Sequence, residues 1–121
     1  MKNPPSLLEG VAWLLPLAAA GALAFTIHAN RTTDEMRALA RARDDLRTIR
    51  SALILSEGRL PDTLAALVAD GRLPHLPDDP WGRPYRYRYP GASHTYDLFS
   101  TGPDGEESAD DVVIWNLYGG R

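Results

Sequence analysis

Five carboxylates lie within eight residues near the end of this 121-residue chain, between two apolar stretches. They are Asp104, Glu106, Glu107, Asp110 and Asp111, and no Lys or Arg lies among them. Carboxylates crowded into a short loop repel one another unless a cation neutralises them, and hard oxygen ligands suit Ca²⁺. Two interpretations follow, a solvated acidic turn and a calcium-binding loop, and the spacing by itself favours the solvated turn.

The backbone of this acidic loop could wrap an ion. Gly102, Pro103 and Gly105 permit a tight turn that aims carbonyl oxygens inward. Asp104 and the pair at 110–111 are six to seven residues apart, so side chains at the two ends could act together with carbonyls between them. The spacing is not that of an EF-hand, which has regularly alternating ligands and a closing Glu.

Composition excludes several other functions. The chain has no cysteine, so it has no disulfides, thiolate metal sites or cysteine nucleophile. The net charge of −3 and the absence of a basic run argue against nucleic-acid binding. His28, His75 and His94 are too far apart in sequence for a typical zinc site, and no serine lies in a nucleophile motif. We therefore expect no enzymatic activity and no small-molecule substrate.

The N-terminal part predicts a membrane anchor. Residues 10–30 include no Asp, Glu, Lys or Arg, and these 21 residues are about the length that crosses a bilayer as a helix. Lys2 precedes the run, which favours a cytoplasmic N-terminus and an exported C-terminal domain. A cleaved signal peptide and a buried core helix are the alternatives. We predict an anchor over residues 1–30 and a globular domain over 31–121.

Beyond the anchor, the apolar spacing predicts a long amphipathic helix that ends at Gly58. Its apolar positions recur every three or four residues and form one stripe. These positions are Leu39, Ala42, Leu46, Ile49 and Leu53. A short second helix is predicted to begin with Asp62 as its N-cap and to end at Gly71.

The remainder predicts three short antiparallel strands over residues 84–90, 95–100 and 112–117. In the first, tyrosines alternate with Arg86 and Arg88, a period of two that directs the arginines to one face. That face is expected to be solvated or to meet the acidic loop of a neighbouring subunit. The helix stripe can cover the other face, with Trp81 in the core. The predicted fold class is α+β, a long helix packed against a small antiparallel sheet.

Residues 36–118 resemble the major pseudopilins of bacterial type II secretion systems, which are pilin-like proteins. Several motifs at matching separations carry the resemblance. They are Leu-Pro-x-Asp-Pro-Trp-Gly-x-Pro-Tyr at 76–85, Pro-Gly at 90–91, Asp-x-Phe-Ser at 97–100, Gly-x-Asp-Gly at 102–105, the acidic pair at 110–111 and Trp-Asn at 115–116.

This resemblance implies a periplasmic pilin-like head that binds Ca²⁺ in its last loop, on a helix anchored once in the bacterial inner membrane. The implied ligands are the side chains of Asp104, Asp110 and Asp111, the carbonyls of Thr101 and Glu106, and Ser108 as a further contributor. The loop is one residue shorter than is common in the family, and Glu107 is expected to face water. The implied partners are further copies of the chain in a helical pseudopilus and other pseudopilins.

The N-terminus departs from the family pattern, in which a leader ends in Gly-Phe and a Glu follows four residues later. Glu9 matches that Glu, but Pro4 and Pro5 stand where Gly and Phe are expected. The departure keeps open a second prediction, a membrane-anchored pilin-fold accessory or binding protein that does not polymerise.

Overall fold

A computed structural model describes residues 14–56, 58–109 and 111–115 of the chain. The chain divides into two compact units, one ending at Met36 and the other beginning at Arg37. The elements are α1 (Leu14–Ile54), α2 (Ala65–Ala69), β1 (Arg86–Arg88), β2 (Asp97–Ser100) and β3 (Val112–Val113). Glu9, residues 10–13 of the predicted anchor, Asp110 and Asn116 lie outside the described residues.

The first unit exposes its apolar side chains. Leu23, Phe25 and Ile27 on α1 are 63%, 74% and 46% exposed. The Thr26 hydroxyl donates to the carbonyl of Ala22 at 2.9 Å, so this polar group is satisfied within the helix itself. Among the described residues, neither helix contains a stretch both long and apolar enough to span a membrane.

In the second unit, the predicted stripe on α1 forms one side of the core. Ala42, Leu46 and Ile49 are fully buried, and Leu53 is nearly so. The helix ends at Ile54, ahead of the predicted stop at Gly58, because the chain tightens there: Ser56 donates its N–H to the carbonyl of Leu53 at 3.1 Å. Gly58, at φ +82°, belongs to the turn that follows.

The end of α2 is as predicted, and its start is not. Leu64 occupies the N-cap position and no side chain caps the helix, so the prediction of Asp62 as N-cap was wrong. At the other end, Gly71 has φ +70° and donates to the carbonyl of Val68 at 3.0 Å, while Arg72 donates to Leu67 at 2.8 Å. This pair of hydrogen bonds is a Schellman motif, for which glycine has the favoured backbone conformation.

The three strands form one antiparallel sheet in the order β1-β2-β3. Tyr87 pairs with Leu98 on the core side, and Arg86 pairs with Phe99, which in turn pairs with Val113. The sheet and its antiparallel order confirm the prediction. The third strand is shorter than predicted, because the chain turns into a short 3₁₀ segment at 114–115.

Two tyrosine hydroxyls, one on β1 and one on the residue just before it, connect this segment to the rest of the head. Tyr85 donates to Asp45 Oδ2 at 2.8 Å, and Tyr87 donates to the carbonyl of Pro61 at 2.8 Å. Burial, reinforced by the bond to Asp45, raises the pKa of Tyr85 well above its usual range, and burial raises the pKa of Tyr87 to about 12. The predicted alternation therefore holds for these tyrosines but fails at Tyr89, which lies beyond β1 and is 44% exposed.

Candidate metal site

A turn ahead of β1 is built around Asp79, a residue that is only 3% exposed. Its Oδ1 accepts the backbone N–H groups of Trp81 at 3.1 Å and of Arg83 at 2.8 Å. The Asp79 N–H donates in return to the Arg83 carbonyl at 2.7 Å. A buried carboxylate needs such donors, because an unpaired one would carry a large desolvation cost. The turn over residues 79–83 is therefore held by the Asp79 carboxylate together with backbone hydrogen bonds.

The same carboxylate reaches the acidic loop. The Ser100 hydroxyl, which is fully buried at the end of β2, donates to Asp79 Oδ2 at 2.7 Å. Its oxygen also accepts the N–H of Gly102 at 3.1 Å. Asp79 and Ser100 thus fix the direction in which the chain leaves β2 and enters the loop.

The start of the acidic loop is also held by the positively charged side chain of an arginine. The Arg83 Nη1 donates to the carbonyl of Gly102 at 2.9 Å and, less favourably, to that of Pro103 at 3.4 Å. Its guanidinium occupies the space beside Gly105, which has φ +75°. A positive charge from a distant part of the sequence therefore lies against the carboxylate-rich loop.

A second arginine contacts the loop from β1. Arg88 forms an ion pair with Glu107, and its guanidinium lies over the ring of Phe99, 5.4 Å from the centroid. The hydrogen bond to Glu107 raises the pKa of Arg88. Arg88 and Glu107 are both exposed, as predicted. The prediction did not include their pairing with each other within one chain. Exposed pairs of this kind contribute little to stability.

The predicted ion ligands fall into two local groups. In the first, Asp104 Oδ1 accepts the N–H of Glu106 at 3.1 Å, and both residues are exposed. In the second, the Ser108 hydroxyl donates to Asp111 Oδ1 over a long 3.4 Å, and the Asp111 N–H donates back to the Ser108 carbonyl at 3.3 Å. Thr101, at the end of β2, is 5% exposed.

This donor set fits a hard cation in its chemistry. The predicted ligands offer only carboxylate, hydroxyl and carbonyl oxygens, which Ca²⁺ prefers. Asp111 is 8% exposed, and among the described residues its carboxylate accepts a single, long hydrogen bond, from Ser108. Its negative charge would therefore gain from a cation nearby. Within residues 14–56, 58–109 and 111–115, no three Asp, Glu or His side chains converge closely enough to hold a metal ion. The predicted ligand Asp110 lies outside that range.

Asp79, Arg83 and Ser100 shape the site and were missing from the predicted site residues. Asp79 could have been found from the sequence, because it is followed directly by Pro80 and, three residues after Asp79, by Gly82. This pattern is typical of a turn in which the carboxylate accepts nearby N–H groups. Arg83 carried no such signal. Its contact with Gly102 spans 19 residues and depends on how β1 and β2 pair.

The fold defines the class of protein. It is similar to the crystal structure of the major pseudopilin from the type 2 secretion system of enterohaemorrhagic Escherichia coli, with a TM-score of 0.65 and 30% sequence identity. The similarity covers 71% of this chain and 89% of that pseudopilin. The long helix with a three-stranded antiparallel sheet is therefore a pilin-like fold, as the resemblance implied.

The sequence profile of type II secretion system protein G matches residues 32–115, and the chain belongs to this family. It is 52% identical over 42 residues to the type II secretion system core protein G of Pseudomonas aeruginosa and 44% identical over 59 residues to that of Escherichia coli K12. These alignments cover 35% and 48% of this chain. The chain spans less than half the length of these relatives, 30% and 41% respectively.

Proposed function

We propose that this chain is a structural subunit of a pseudopilus and contributes to protein export across the outer membrane. The observation that carries the proposal is the fold, which matches 89% of a solved major pseudopilin. The role is non-enzymatic. The partners are further copies of the chain, which assemble helically, and other pseudopilins of the same secretion system.

The proposal includes an N-terminal anchor over residues 1–30 in the bacterial inner membrane, with a cytoplasmic N-terminus and a periplasmic head over 31–121. Residues 10–30 carry no charged side chain. On the described part of this stretch, Leu23, Phe25 and Ile27 are exposed, as side chains that face lipid would be. The Thr26 hydroxyl bonds within its own helix, so it needs no water there.

The proposal also includes Ca²⁺ as the ion of the acidic loop. Asp104, Asp110 and Asp111 would supply carboxylates, and Ser108 an additional oxygen. The carbonyls of Thr101 and Glu106 would complete the set. When bound, Ca²⁺ neutralises the crowded carboxylates and stabilises the folded head by mass action. The buried, weakly bonded carboxylate of Asp111 supports this assignment.

Electron microscopy of filaments sheared from the native bacterium, labelled with an antibody against the head, tests the function. We expect labelled filaments when this chain is produced together with the rest of its secretion system. A strain producing Leu46→Asp, which places a charge at a fully buried core position, serves as the control and should yield none. Filaments that never carry the label, with the wild-type chain retained in the membrane, would instead support an anchored accessory protein that does not polymerise.

A further inference from the structure

The backbone carbonyls of Gly102 and Pro103, near the start of the acidic loop, already accept hydrogen bonds. Arg83 Nη1 donates to Gly102 at 2.9 Å and to Pro103 at 3.4 Å, so these two oxygens point towards the turn held by Asp79. The backbone of Arg83 is itself fixed, because its N–H donates to Asp79 Oδ1 at 2.8 Å. The Arg83 residue is therefore held at its backbone by the turn and at its guanidinium by the loop.

Gly105 is matched to this arginine. A Cβ at position 105 would lie 2.5 Å from both Cζ and Nε of Arg83. The end of an arginine can usually move aside, but here such a movement would break its hydrogen bond to Gly102. Gly71 is a useful comparison, since its φ of +70° is close to the +75° of Gly105 and a Cβ there would meet nothing within 4 Å.

We propose that Arg83 is a positioning residue for the acidic loop. It holds the backbone at 102–103 away from the ion, leaves the carbonyls of Thr101 and Glu106 as the backbone ligands, and requires a glycine at 105. The expected consequence, tighter binding of Ca²⁺, rests on the proposed calcium site. A loop whose first residues are already held in place loses less conformational freedom when it closes on an ion.

Whether loss of the Arg83 side chain weakens or strengthens Ca²⁺ binding distinguishes a positioning role from a purely electrostatic one. Deleting a positive side chain near a cation site would by itself strengthen binding of the cation. Deleting a residue that positions the loop should weaken binding. Groups bonded directly to metal ligands typically change affinity by about 10–100-fold, and Arg83, which bonds to the carbonyls beside the proposed ligands, should act at the low end of that range. For Arg83→Ala we therefore expect Ca²⁺ binding about 10-fold weaker, and we expect Arg83→Lys, which keeps a donor and the charge, to recover part of the loss.

The first experiment measures melting temperatures of the full chain in chelator, where no ion contributes. The set comprises wild type, Arg83→Ala, Gly105→Ala, Gly71→Ala and the two double variants that combine Arg83→Ala with each glycine change. Because Arg83→Ala and Gly105→Ala break the same contact, the combined loss should be clearly smaller than the sum of the two. The losses from Arg83→Ala and the remote Gly71→Ala should add. Equal additivity in both pairs would overturn the role of Arg83.

The second experiment titrates wild type, Arg83→Ala and Arg83→Lys with Ca²⁺ and follows the amide NMR signals of Gly102 and Glu106. Weaker binding by Arg83→Ala, with partial recovery by Lys, supports positioning. Unchanged or tighter Ca²⁺ binding by Arg83→Ala would overturn the proposal that Arg83 strengthens Ca²⁺ binding. If the wild-type chain binds no Ca²⁺ at all, the calcium proposal fails. The chelator experiment then decides independently whether Arg83 positions the loop.

Discussion

Replacing Asp79 by Ala is expected to lower the free energy of unfolding by about 3–5 kcal/mol. The change removes the acceptor for two backbone N–H groups and for the buried hydroxyl of Ser100, which lie at 2.7–3.1 Å from it. Each buried donor left without a partner carries its own desolvation cost. For a head of this size, such a loss corresponds to a fall in melting temperature of about 12 °C or more.

Asp78 provides a matched control, because it is the neighbouring residue, carries the same side chain and is exposed. Asp78→Ala should change the free energy of unfolding by no more than about 0.5 kcal/mol. Asp79→Asn keeps one acceptor oxygen and should fall between the two. Chemical denaturation of all three variants measures the difference. Equal stabilities for Asp78→Ala and Asp79→Ala would show that the buried carboxylate does not hold the turn.

Leu46→Ala is expected to destabilise the head by about 2–5 kcal/mol, because truncating a buried leucine loses apolar contact and leaves a cavity. Leu46 is fully buried on the face of α1 that packs in the core with Leu98 and Tyr85. Differential scanning calorimetry of the full chain should show the loss as a lower melting temperature of the head.

Ile54 lies on the same helix and is 63% exposed, so Ile54→Ala is the matched control. It removes a similar number of apolar atoms but should change stability by no more than about 0.5 kcal/mol. If both variants melted at the same temperature, the apolar stripe of α1 would not form the core of the head.

Local patterns predicted the elements of the fold well. The apolar stripe on α1 could be predicted because side chains three and four residues apart share a helix face. Leu46 and Ile49 of this stripe are indeed buried. Gly71 marked the end of α2 because a left-handed backbone conformation favours glycine. Asp62 was misassigned, since an acidic residue ahead of an apolar run also occurs in ordinary turns, and the helix begins later.

What local patterns could not show is how the acidic loop is neutralised and held. Arg83 and Arg88 lie 19 residues before their partners Gly102 and Glu107. The pairing of β1 with β2 brings both arginines to the loop, and nothing in the spacing of the carboxylates indicates it. The ligand candidates themselves were read from the sequence by resemblance, and their joint role in ion binding remains a prediction.

We propose that the crowded carboxylates at 104–111 form a calcium site in a pilin-like head. Calorimetric titration of the full chain with Ca²⁺ tests it most directly. The control is Asp62→Ala with Asp70→Ala, which removes two exposed carboxylates outside the loop and so matches the charge change of Asp110→Ala with Asp111→Ala. We expect wild type and the control to bind a single Ca²⁺ per chain and the loop variant to bind none. Absence of binding by wild type, or equal binding by the loop variant, would contradict the claim.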